Sequence, residues 1–426
     1  MKIETLHQHF LASTGICTDT RSIKKGCLFF ALKGDNFNGN KFAQEALDKG
    51  AYKVIIDEIE YHKESGGTLI CSTVLNTLQK LATFHRVYLK LPIIALTGSN
   101  GKTTTKELIN AVLSQKFNTV ATKGNLNNHI GVPLTLLSMN SETEIGIVEM
   151  GANHLREIET LCEIAKPDFG YITNFGKAHL EGFGSVEGVI KGKTELYRHL
   201  KTYGKTVFVN GNDSKQILYS QILNKVTFGN KQQDCKIQLV DATENVTVSF
   251  EGIKIKSNLI GLYNFNNIAA AICIGDFFKV SKEAIKIAIE GYVPTNNRSQ
   301  LIEKGSNKII LDAYNANPSS MMAALKNFKQ SEGVSKILFL GDMFELGTAA
   351  EKEHQTIVDF LEEYTLGKTY LIGENFYKTE IASKTIQKFK TFETLQKELE
   401  INPPTNSHLL IKGSRGMALE RILDLL

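Results

Sequence analysis

One short glycine-rich segment constrains this chain of 426 residues more than any other feature. The apolar run at residues 91–96 is typical of a buried strand, and a helical pattern starts near Lys102. Between them lies Thr97-Gly98-Ser99-Asn100-Gly101-Lys102-Thr103-Thr104. A glycine-rich turn that leads a strand into a helix turns backbone N–H groups toward an anion, and the following lysine adds positive charge. The segment therefore predicts a phosphate-binding loop and a nucleoside triphosphate ligand.

The spacing of this loop departs from the commonest phosphate-binding pattern, G-x-x-x-x-G-K-[S/T]. That pattern needs glycine at position 96, where this chain has Leu96. The order found here is Gly98-x-x-Gly101-Lys102-Thr103, which makes a tighter loop. The alternative is a surface turn with a chance Gly-Lys pair, and the order of strand, glycines, lysine and helix argues against it.

Composition is typical of a soluble protein with more than one domain. A chain of 426 residues is too long for a single core, so we expect two or three domains. The net charge of +4, without a dense basic run, argues against nucleic-acid binding, and no apolar run is long enough for a membrane span. Six scattered cysteines without a Cys-x-x-Cys pair, and an N-terminus without a secretory core, predict reduced thiols and a cytoplasmic location.

Short apolar runs alternate with helical stretches, which predicts an α/β fold of three domains. We expect a small N-terminal α/β domain at residues 1–90 and a central domain at 91–296 with a doubly wound, mainly parallel sheet. A Rossmann-like α/β domain is expected at 297–426. Residues 235–260 suggest hairpin strands, and the polar loop Pro294-Thr295-Asn296-Asn297-Arg298 is a predicted hinge. In such sheets ligands bind beyond the carboxyl ends of the strands.

Several polar side chains are candidate partners of a bound nucleotide and its magnesium ion. Thr103 follows the loop lysine, and Glu149 ends a predicted strand with a carboxylate of the kind Mg²⁺ prefers. His179 follows another strand end. By residue pattern alone, Glu149 is equally typical of a solvated strand end and His179 of an exposed loop. Lys193 is typical of a surface helix, and spacing does not distinguish it from Lys191.

Taken together, these motifs resemble those of the Mur ligases, the ATP-dependent amide-forming enzymes of peptidoglycan precursor synthesis. The resemblance runs through all three expected domains. The motifs that carry it are the loop at 97–104, Glu149-Met150-Gly151, Asn174, His179-Leu180, Lys193-x-Glu195, Tyr263-Asn264-x-x-Asn267, Arg298 and Asp312.

Four further stretches resemble the family members that join D-alanyl-D-alanine to UDP-N-acetylmuramoyl-tripeptide. They are Asp19-Thr20-Arg21 with residues 28–39, residues 124–133, residues 149–154, and Asp312-Ala313-Tyr314-Asn315-Ala316-Asn317-Pro318 with Lys412-Gly413-Ser414-Arg415. The Asp-Asn-Pro run typical of the member that adds the third residue does not occur. One departure is Asn38-Gly39-Asn40, where the family often has Asp-Gly-His; because Gly39 is kept, we expect the loop shape to survive, while the role of Asn38 stays open.

The resemblance implies roles for individual residues. The implied ATP contacts are Gly98, Ser99, Asn100, Gly101, Lys102, Thr103, Thr104, Asn264, Asn267, Arg298 and Asp312. Thr103 and Glu149 are implied ligands of one Mg²⁺, and His179 and Lys193 of a second, with Lys193 carbamylated into a carboxylate-like ligand. Lys102, Lys193 and His179 are the implied catalytic residues. Contacts with the UDP substrate are implied for Thr20, Arg21, Leu32, Lys33, Gly34, Asn127 and Asn128, and contacts with the dipeptide for Asn315, Asn317, Ser414 and Arg415.

The implied reaction uses ATP to activate the tripeptide carboxylate as an acyl phosphate, which the amine of D-alanyl-D-alanine then attacks. Domain closure about the loop near Arg298 would exclude water from this intermediate. The alternatives are the Mur ligase that adds the third residue, a folate polyglutamate synthetase on the same scaffold, and a non-catalytic nucleotide-binding relative. A monomer is expected. The third residue of the tripeptide, diaminopimelate or lysine, stays open.

Overall fold

The computed structural model describes residues 2–64, 66–331 and 335–426. The described strands form a four-stranded, a nine-stranded and a six-stranded sheet, together with a two-stranded pair. The three larger sheets follow one another along the chain and define an N-terminal, a central and a C-terminal unit. The expected α/β class and the mainly parallel, doubly wound central sheet are confirmed.

The N-terminal unit carries a parallel sheet of order β1-β2-β5-β6 and the separate hairpin β3-β4. Its elements are α1 (Ile3–Leu11), β1 (Ile16–Cys17), β2 (Leu28–Phe30), β3 (Lys33–Gly34), β4 (Phe37–Asn38), α2 (Ala43–Asp48), β5 (Lys53–Ile56), β6 (Thr68–Ile70) and α3 (Val74–Leu89). Strand β2 is buried on both faces, as expected for the inside of a parallel sheet covered by helices.

The central unit has the sheet order β15-β14-β13-β12-β11-β10-β7-β9-β8. Its elements are β7 (Ile93–Thr97), α4 (Lys102–Leu113), β8 (Thr119–Ala121), α5 (Gly131–Leu137), β9 (Ile145–Glu149), α6 (Glu157–Ala165), β10 (Phe169–Ile172), α7 (Leu180–Phe183), α8 (Val186–Lys193), α9 (Glu195–Thr202), β11 (Thr206–Asn210), α10 (Ser214–Tyr219), β12 (Asn224–Gly229), β13 (Cys235–Asp241), β14 (Asn245–Phe250), β15 (Ile253–Ile260), α11 (Asn264–Phe277) and α12 (Lys282–Gly291). The strands from β8 to β13 are parallel, and β13-β14-β15 are antiparallel, as the hairpin pattern at 235–260 predicts.

The C-terminal unit has the sheet order β16-β17-β21-β18-β19-β20, in which only β16 runs antiparallel among the described strands. Its elements are β16 (Gln300–Lys304), β17 (Asn307–Asp312), α13 (Pro318–Gln330), β18 (Lys336–Gly341), α14 (Ala350–Tyr364), β19 (Lys368–Ile372), α15 (Glu374–Lys378), β20 (Ile386–Phe389), α16 (Phe392–Ile401) and β21 (His408–Lys412). Short 3₁₀ turns lie at 20–22, 39–42, 59–61, 347–349, 415–417 and 419–425.

One packing feature lies inside the central unit, and another joins that unit to the N-terminal unit. Helix α11 is almost entirely buried because it lies between α4 and the strands β11 to β14. Helix α3 packs on α1 and also on α5 and α6, and its Arg86 donates to the Asp168 carboxylate at 2.6 Å. The predicted domain boundaries, 90/91 and 296/297, fall in the connections that follow α3 and α12, and they stay predictions. No helix in the described parts of the chain has the length and apolar character needed to cross a bilayer.

Candidate active site

A cavity of about 1130 Å³ opens where the carboxyl ends of β7, β9 and β10 face the C-terminal unit. Both units and the connection between them line it. The lining comes from residues 99–104, 125–129, 149–161, 174–179, 263–267, 298–299, 312–323, 344–345 and Lys412, with gaps. This is the edge at which a parallel sheet binds its ligands.

The glycines of the phosphate loop have no room for a side chain. Gly98 has φ +140°, and a Cβ there would lie 2.0 Å from Thr173 Oγ1. Gly101 has φ +76°, and a Cβ there would lie 2.6 Å from Asn267 Oδ1. Both positions therefore require glycine for space and for backbone conformation.

Lys102 begins α4 and folds back over the loop. Its Nζ donates to Gly98 O at 2.8 Å and to Ser99 O at 3.3 Å. Burial lowers the pKa of Lys102, the Arg298 charge lowers it further, and the carboxylates of Glu149 and Glu345 oppose the shift. A cation held only by carbonyl oxygens is well placed to exchange them for phosphate oxygens.

Glu149 and Thr103 together fit a magnesium ion. Thr103 Oγ1 lies 3.3 Å from Glu149 Oε1, which also accepts from Asn127 Nδ2 at 2.8 Å. Glu149 Oε2 is buried and has no hydrogen-bond partner among the described residues. A buried, unpaired carboxylate oxygen is costly unless a cation binds it, and carboxylate and hydroxyl oxygens suit Mg²⁺. Among the described residues, no group of three or more His, Cys, Asp or Glu side chains is arranged to hold a metal ion.

His179 meets a residue of the C-terminal unit rather than Glu149. Its Nδ1 lies 2.5 Å from Glu345 Oε2, and this hydrogen bond lowers the pKa of Glu345. Both residues have left-handed backbone conformations, with φ +52° for His179 and +61° for Glu345. Such conformations are uncommon for residues other than glycine and persist where the surrounding structure holds them.

Lys193 is 0% exposed, whereas Lys191 on the same helix is exposed. The Lys193 Nζ donates to Ala152 O at 3.1 Å and lies 5.2 Å from the centre of the Phe183 ring. No carboxylate of the described residues forms an ion pair with it. Burial, and secondarily the Lys102 charge, lower the pKa of Lys193 well below its usual value. Glu195, two positions on, instead accepts from the backbone N–H groups of Arg156 and Glu159 at the start of α6.

Two asparagines at the start of α11, Asn264 and Asn267, line the cavity next to the phosphate loop and α4. Asn267 accepts from Thr105 Oγ1 at 3.0 Å and donates to Asn264 Oδ1 at 2.8 Å. Across the cavity, the Arg298 guanidinium lies 3.6 Å from the centre of the Tyr314 ring, and its buried Nε has no partner among the described residues. A cation stacked on an aromatic face with a spare donor suits an anionic or π-rich ligand.

The C-terminal unit brings a carboxylate and a buried lysine to the same cavity. Asp312, at the end of β17, accepts from Ser299 N at 3.1 Å and from Lys412 Nζ at 2.6 Å. Asn315 lines the cavity, and Asn317 Nδ2 donates to Asn100 Oδ1 of the phosphate loop at 2.7 Å. Glu149 of the central unit and Asp312 of the C-terminal unit, each at the end of a strand, therefore line the same cavity.

Comparison with known proteins covers all three units. Family models match residues 13–83 (Mur ligase family, catalytic domain), 96–275 (Mur ligase middle domain) and 297–415 (Mur ligase, glutamate ligase domain). The chain is 35% identical over 422 residues to the UDP-N-acetylmuramoyl-tripeptide--D-alanyl-D-alanine ligase of Bacillus subtilis, covering 96% of this chain and 92% of the relative. The chain belongs to the Mur ligase family. It is also 31% identical over 425 residues to the Escherichia coli protein of the same name, covering 96% and 92% of the two chains.

Solved structures of the family share the arrangement of this Mur ligase. MurF from Acinetobacter baumannii superposes with a TM-score of 0.87 at 29% identity, covering 100% of this chain and 98% of that one. The MurF ligase from Thermotoga maritima in complex with ADP superposes with a TM-score of 0.84 at 26% identity, covering 98% and 97%. The resemblance inferred from the motifs is thereby confirmed.

Several of the residues predicted for the Mur ligase site do not line its cavity. Thr20, Arg21, Leu32, Lys33 and Gly34 lie in the N-terminal unit, whereas Asn127 and Asn128 line the cavity. Arg21 pairs with Asp19, and Lys33 with Asp57 and Glu58. Gly98 and Lys193 do not line the cavity but each contacts a residue that does, Lys102 and Ala152 respectively. These residues stay predicted contacts.

Two predicted dipeptide residues do not line the cavity themselves and have partners within the protein. Ser414 is buried and its Oγ accepts from Phe344 N at 2.8 Å. Arg415 is exposed, with Nη1 donating to Glu420 Oε1 at 2.9 Å. The contact with Glu420 uses one of the five N–H donors of the guanidinium, so the others stay available to a ligand carboxylate.

The departure at Asn38 has a local explanation. Asn38 Oδ1 accepts from Asn40 N at 3.0 Å, and its Nδ2 donates to both oxygens of the Glu58 carboxylate. An aspartate at position 38 would face that carboxylate without a proton to donate. A Cβ on Gly39 would lie 2.5 Å from Leu32 O, so the glycine is required and the turn is compact.

Sequence reasoning missed three residues of the site. The sequence motifs include Lys412 and Tyr314 without assigning them a role, and Glu345 belongs to none of the motifs. Glu345 follows the carboxyl end of β18, so the strand-end rule that selected Glu149 could also have selected it. No local signal marked its partner, because His179 lies 166 residues away in the chain.

Proposed function

We propose that this chain joins D-alanyl-D-alanine to UDP-N-acetylmuramoyl-tripeptide at the expense of ATP, through an acyl phosphate. The observation that carries the proposal is the shared cavity, in which the phosphate loop and Glu149 of the central unit face Asp312, Asn317 and Glu345 of the C-terminal unit. Relatives that match 96% of this chain carry the name of that activity.

The loop amides and Lys102 would hold the β- and γ-phosphates of ATP. Asn264 and Asn267 would lie toward the adenine, and Arg298 and Asp312 would reach the nucleotide from the C-terminal side. Thr103 and Glu149 would hold one Mg²⁺, whose charge lowers the cost of moving negative charge between phosphate oxygens. Because these donors are already in place, little reorganisation is needed when the γ-phosphoryl group leaves.

Lys193 would serve a second Mg²⁺, together with His179, after carbamylation. A lysine ammonium does not ligate Mg²⁺, whereas a carbamate offers oxygens of the kind that Mg²⁺ prefers. Carbamate formation needs a neutral amine, and burial favours that form because it lowers the pKa of Lys193 well below its usual value. The structure also favours Lys193 over Lys191, because only Lys193 is buried beside the cavity wall at Ala152.

The C-terminal unit would close the site against water, to which an acyl phosphate is vulnerable. The contacts that seat it on the central unit include Asn317 with Asn100, Glu345 with His179, and Ser319 Oγ accepting from Lys177 N at 2.8 Å. The UDP end of the substrate would lie on Thr20, Arg21, Leu32, Lys33 and Gly34, with the peptide entering past Asn127 and Asn128. The dipeptide would contact Asn315, Asn317, Ser414 and Arg415. We further propose that the enzyme works as a cytoplasmic monomer.

Mass spectrometry of the products tests this proposal. The chain is incubated with Mg²⁺, ATP, D-alanyl-D-alanine and UDP-N-acetylmuramoyl-tripeptide carrying either diaminopimelate or lysine. We expect the UDP-pentapeptide, ADP and phosphate in equal amounts from at least one tripeptide, and no product without ATP. A UDP-dipeptide with a free third amino acid is the control substrate. Product from that pair alone, or ATP turnover without a peptide product, would overturn the proposal.

A further inference from the structure

The loop after β18 presents one carboxylate to the cavity. Glu345 has φ +61°, an uncommon conformation for a residue with a side chain. The two preceding residues are anchored from behind: Met343 N donates to His354 Nε2 at 3.0 Å, and Phe344 N donates to Ser414 Oγ at 2.8 Å. Both acceptors are buried. The fold therefore holds the Glu345 backbone in place before any ligand arrives.

The Glu345 carboxylate has one committed and one available oxygen. Oε2 is bonded to His179 Nδ1, whereas no donor among the described residues contacts Oε1. The side chain is 50% exposed, and Glu345 is one of the residues that line the cavity. An oxygen in this position can accept a hydrogen bond from a cation that enters the cavity.

The other described acids that line the cavity either accept hydrogen bonds from the protein or lie at the predicted metal site. Glu157 accepts from the backbone N–H groups of Asn153 and His154, and Asp312 accepts from Ser299 and Lys412. Glu149 lies at the loop with Thr103 and Asn127 and fits the metal. Of the described acids in the lining, Glu345 is thus the one left for a cationic group of a substrate.

Resting on the proposed function, we infer that Glu345 binds the ammonium group of the incoming dipeptide. Its neighbours His179 and Lys102 mark the end of the cavity at which the activated carboxylate must lie. Glu345 belongs to the C-terminal unit, which is the unit proposed to admit the dipeptide. A hydrogen bond between a carboxylate and a primary ammonium is charge-assisted and directional, so it would hold the nitrogen beside the reacting carbon. The nitrogen attacks only after the ammonium has lost a proton to solvent, and phosphate then leaves.

A different role would be to orient His179 toward a metal ion, as carboxylates often do for ligating histidines. The two roles predict different losses. If Glu345 binds the ammonium, its substitution weakens dipeptide binding and leaves metal binding unchanged. If Glu345 positions His179, its substitution weakens metal binding and leaves the preference for an ammonium over a hydroxyl unchanged.

The test compares D-alanyl-D-alanine with D-lactoyl-D-alanine, in which a hydroxyl replaces the ammonium, on the full-length wild type, Glu345→Gln and Glu353→Gln. Glu353 pairs with Lys177 across the same pair of units at 2.6 Å but does not line the cavity, so its variant controls for loss of an ion pair between the units. Hydroxylamine, which is largely uncharged near neutral pH, traps the acyl phosphate independently of ammonium binding. Mn²⁺ binding is followed by electron paramagnetic resonance.

We expect Glu345→Gln to raise the KM for D-alanyl-D-alanine about 10- to 100-fold, the range for a lost charged hydrogen bond. In the same variant we expect changes of less than about threefold in four quantities: the Ki of D-lactoyl-D-alanine, the KM for ATP, the rate of hydroxamate formation and the affinity for Mn²⁺. The control variant Glu353→Gln should keep the wild-type preference for the ammonium. Equal effects on the two dipeptides, or weakened Mn²⁺ binding with an unchanged preference, would overturn the inference. If the wild type forms no hydroxamate from the tripeptide, the proposed function itself fails.

Discussion

Asn317 Nδ2 donates a hydrogen bond to Asn100 Oδ1 at 2.7 Å, across 217 residues of chain. The same Asn317 begins α13, where its Oδ1 accepts from Ser320 N and the Ser320 hydroxyl faces the Asn317 N–H in a capping box. One side chain therefore stabilises a helix start and ties the C-terminal unit to the phosphate loop.

These two roles of Asn317 can be separated by substitution. Asn317→Ser keeps a capping oxygen but is too short to reach Asn100, whereas Asn317→Ala loses both contacts. We expect Asn317→Ala to lower the free energy of unfolding by about 1 kcal/mol and Asn317→Ser by much less. Both should slow turnover severalfold. Urea denaturation and steady-state kinetics check this, and full activity of Asn317→Ser would show that the link to Asn100 is dispensable.

Removing the loop cation should affect chemistry more than folding. Lys102→Ala leaves the loop glycines in place but removes the charge that faces the phosphates. Loss of one preorganised group of this kind costs about 3 kcal/mol of transition-state stabilisation, so we expect kcat to fall roughly a hundredfold. Lys106 is the matched control: it lies on the same helix, is buried, and donates to Thr122 O outside the cavity. Parental ATP turnover by Lys102→Ala with both substrates present would refute the loop assignment.

The carbamate proposal distinguishes two lysines of one helix. We expect Lys193→Ala to lose nearly all activity, because the second Mg²⁺ loses an oxygen ligand, and short carboxylic acids to restore part of it. Lys191→Ala should stay close to the parent, since Lys191 is exposed. Removing bicarbonate from the wild-type enzyme should lower its rate. If Lys191→Ala is inactive and Lys193→Ala stays active, the assignment of the carbamate to Lys193 is wrong.

Arg415 provides a test of how the dipeptide carboxylate is held. The structure pairs one of its N–H groups with Glu420, whose negative charge opposes the binding of a second carboxylate to the same guanidinium. We expect Arg415→Ala to raise the KM for D-alanyl-D-alanine far more than the KM for ATP, and Glu420→Gln to lower the KM for the dipeptide. Equal effects of Arg415→Ala on both KM values, with no effect of Glu420→Gln, would assign the pair a structural role.

A buried histidine pair should make stability depend on pH. His7 Nε2 lies 3.0 Å from His85 Nδ1, and His85 Nε2 lies 2.9 Å from Met139 O, which joins α1 and α3 to the central unit. Burial lowers the pKa of both histidines. Below pH 6.5 the unfolded chain therefore binds protons that the folded chain does not, so the free energy of unfolding falls as the pH drops and levels off below the folded pKa values.

His85→Gln checks that assignment, because the Gln amide can still donate to Met139 O while it does not titrate. Denaturation curves at pH 7.5 and pH 5.5 give the loss of unfolding free energy on acidification. We expect a smaller loss in His85→Gln than in the wild type. Parallel losses in the two proteins would show that His85 does not contribute to the pH dependence.

Local sequence was sufficient for features that depend on neighbours in the chain. The apolar strand, the glycines and Lys102 act within about ten residues, so their order predicted the phosphate loop before any tertiary contact was known. The alternation of apolar runs likewise predicted a parallel central sheet, because buried strands and amphipathic helices carry their own periodicities.

Only the tertiary structure decided which distant groups meet. Lys191 and Lys193 are equivalent by spacing, and packing of α8 against Phe183 and Ala152 buries one of them. Glu345 carries no local mark, and the docking of the C-terminal unit places it on His179. Arg415 matched a motif, yet the fold pairs it with Glu420. Strand and loop propensities are set by short-range sterics and burial, whereas these contacts depend on how whole units pack, and a single sequence does not encode that packing in any one segment.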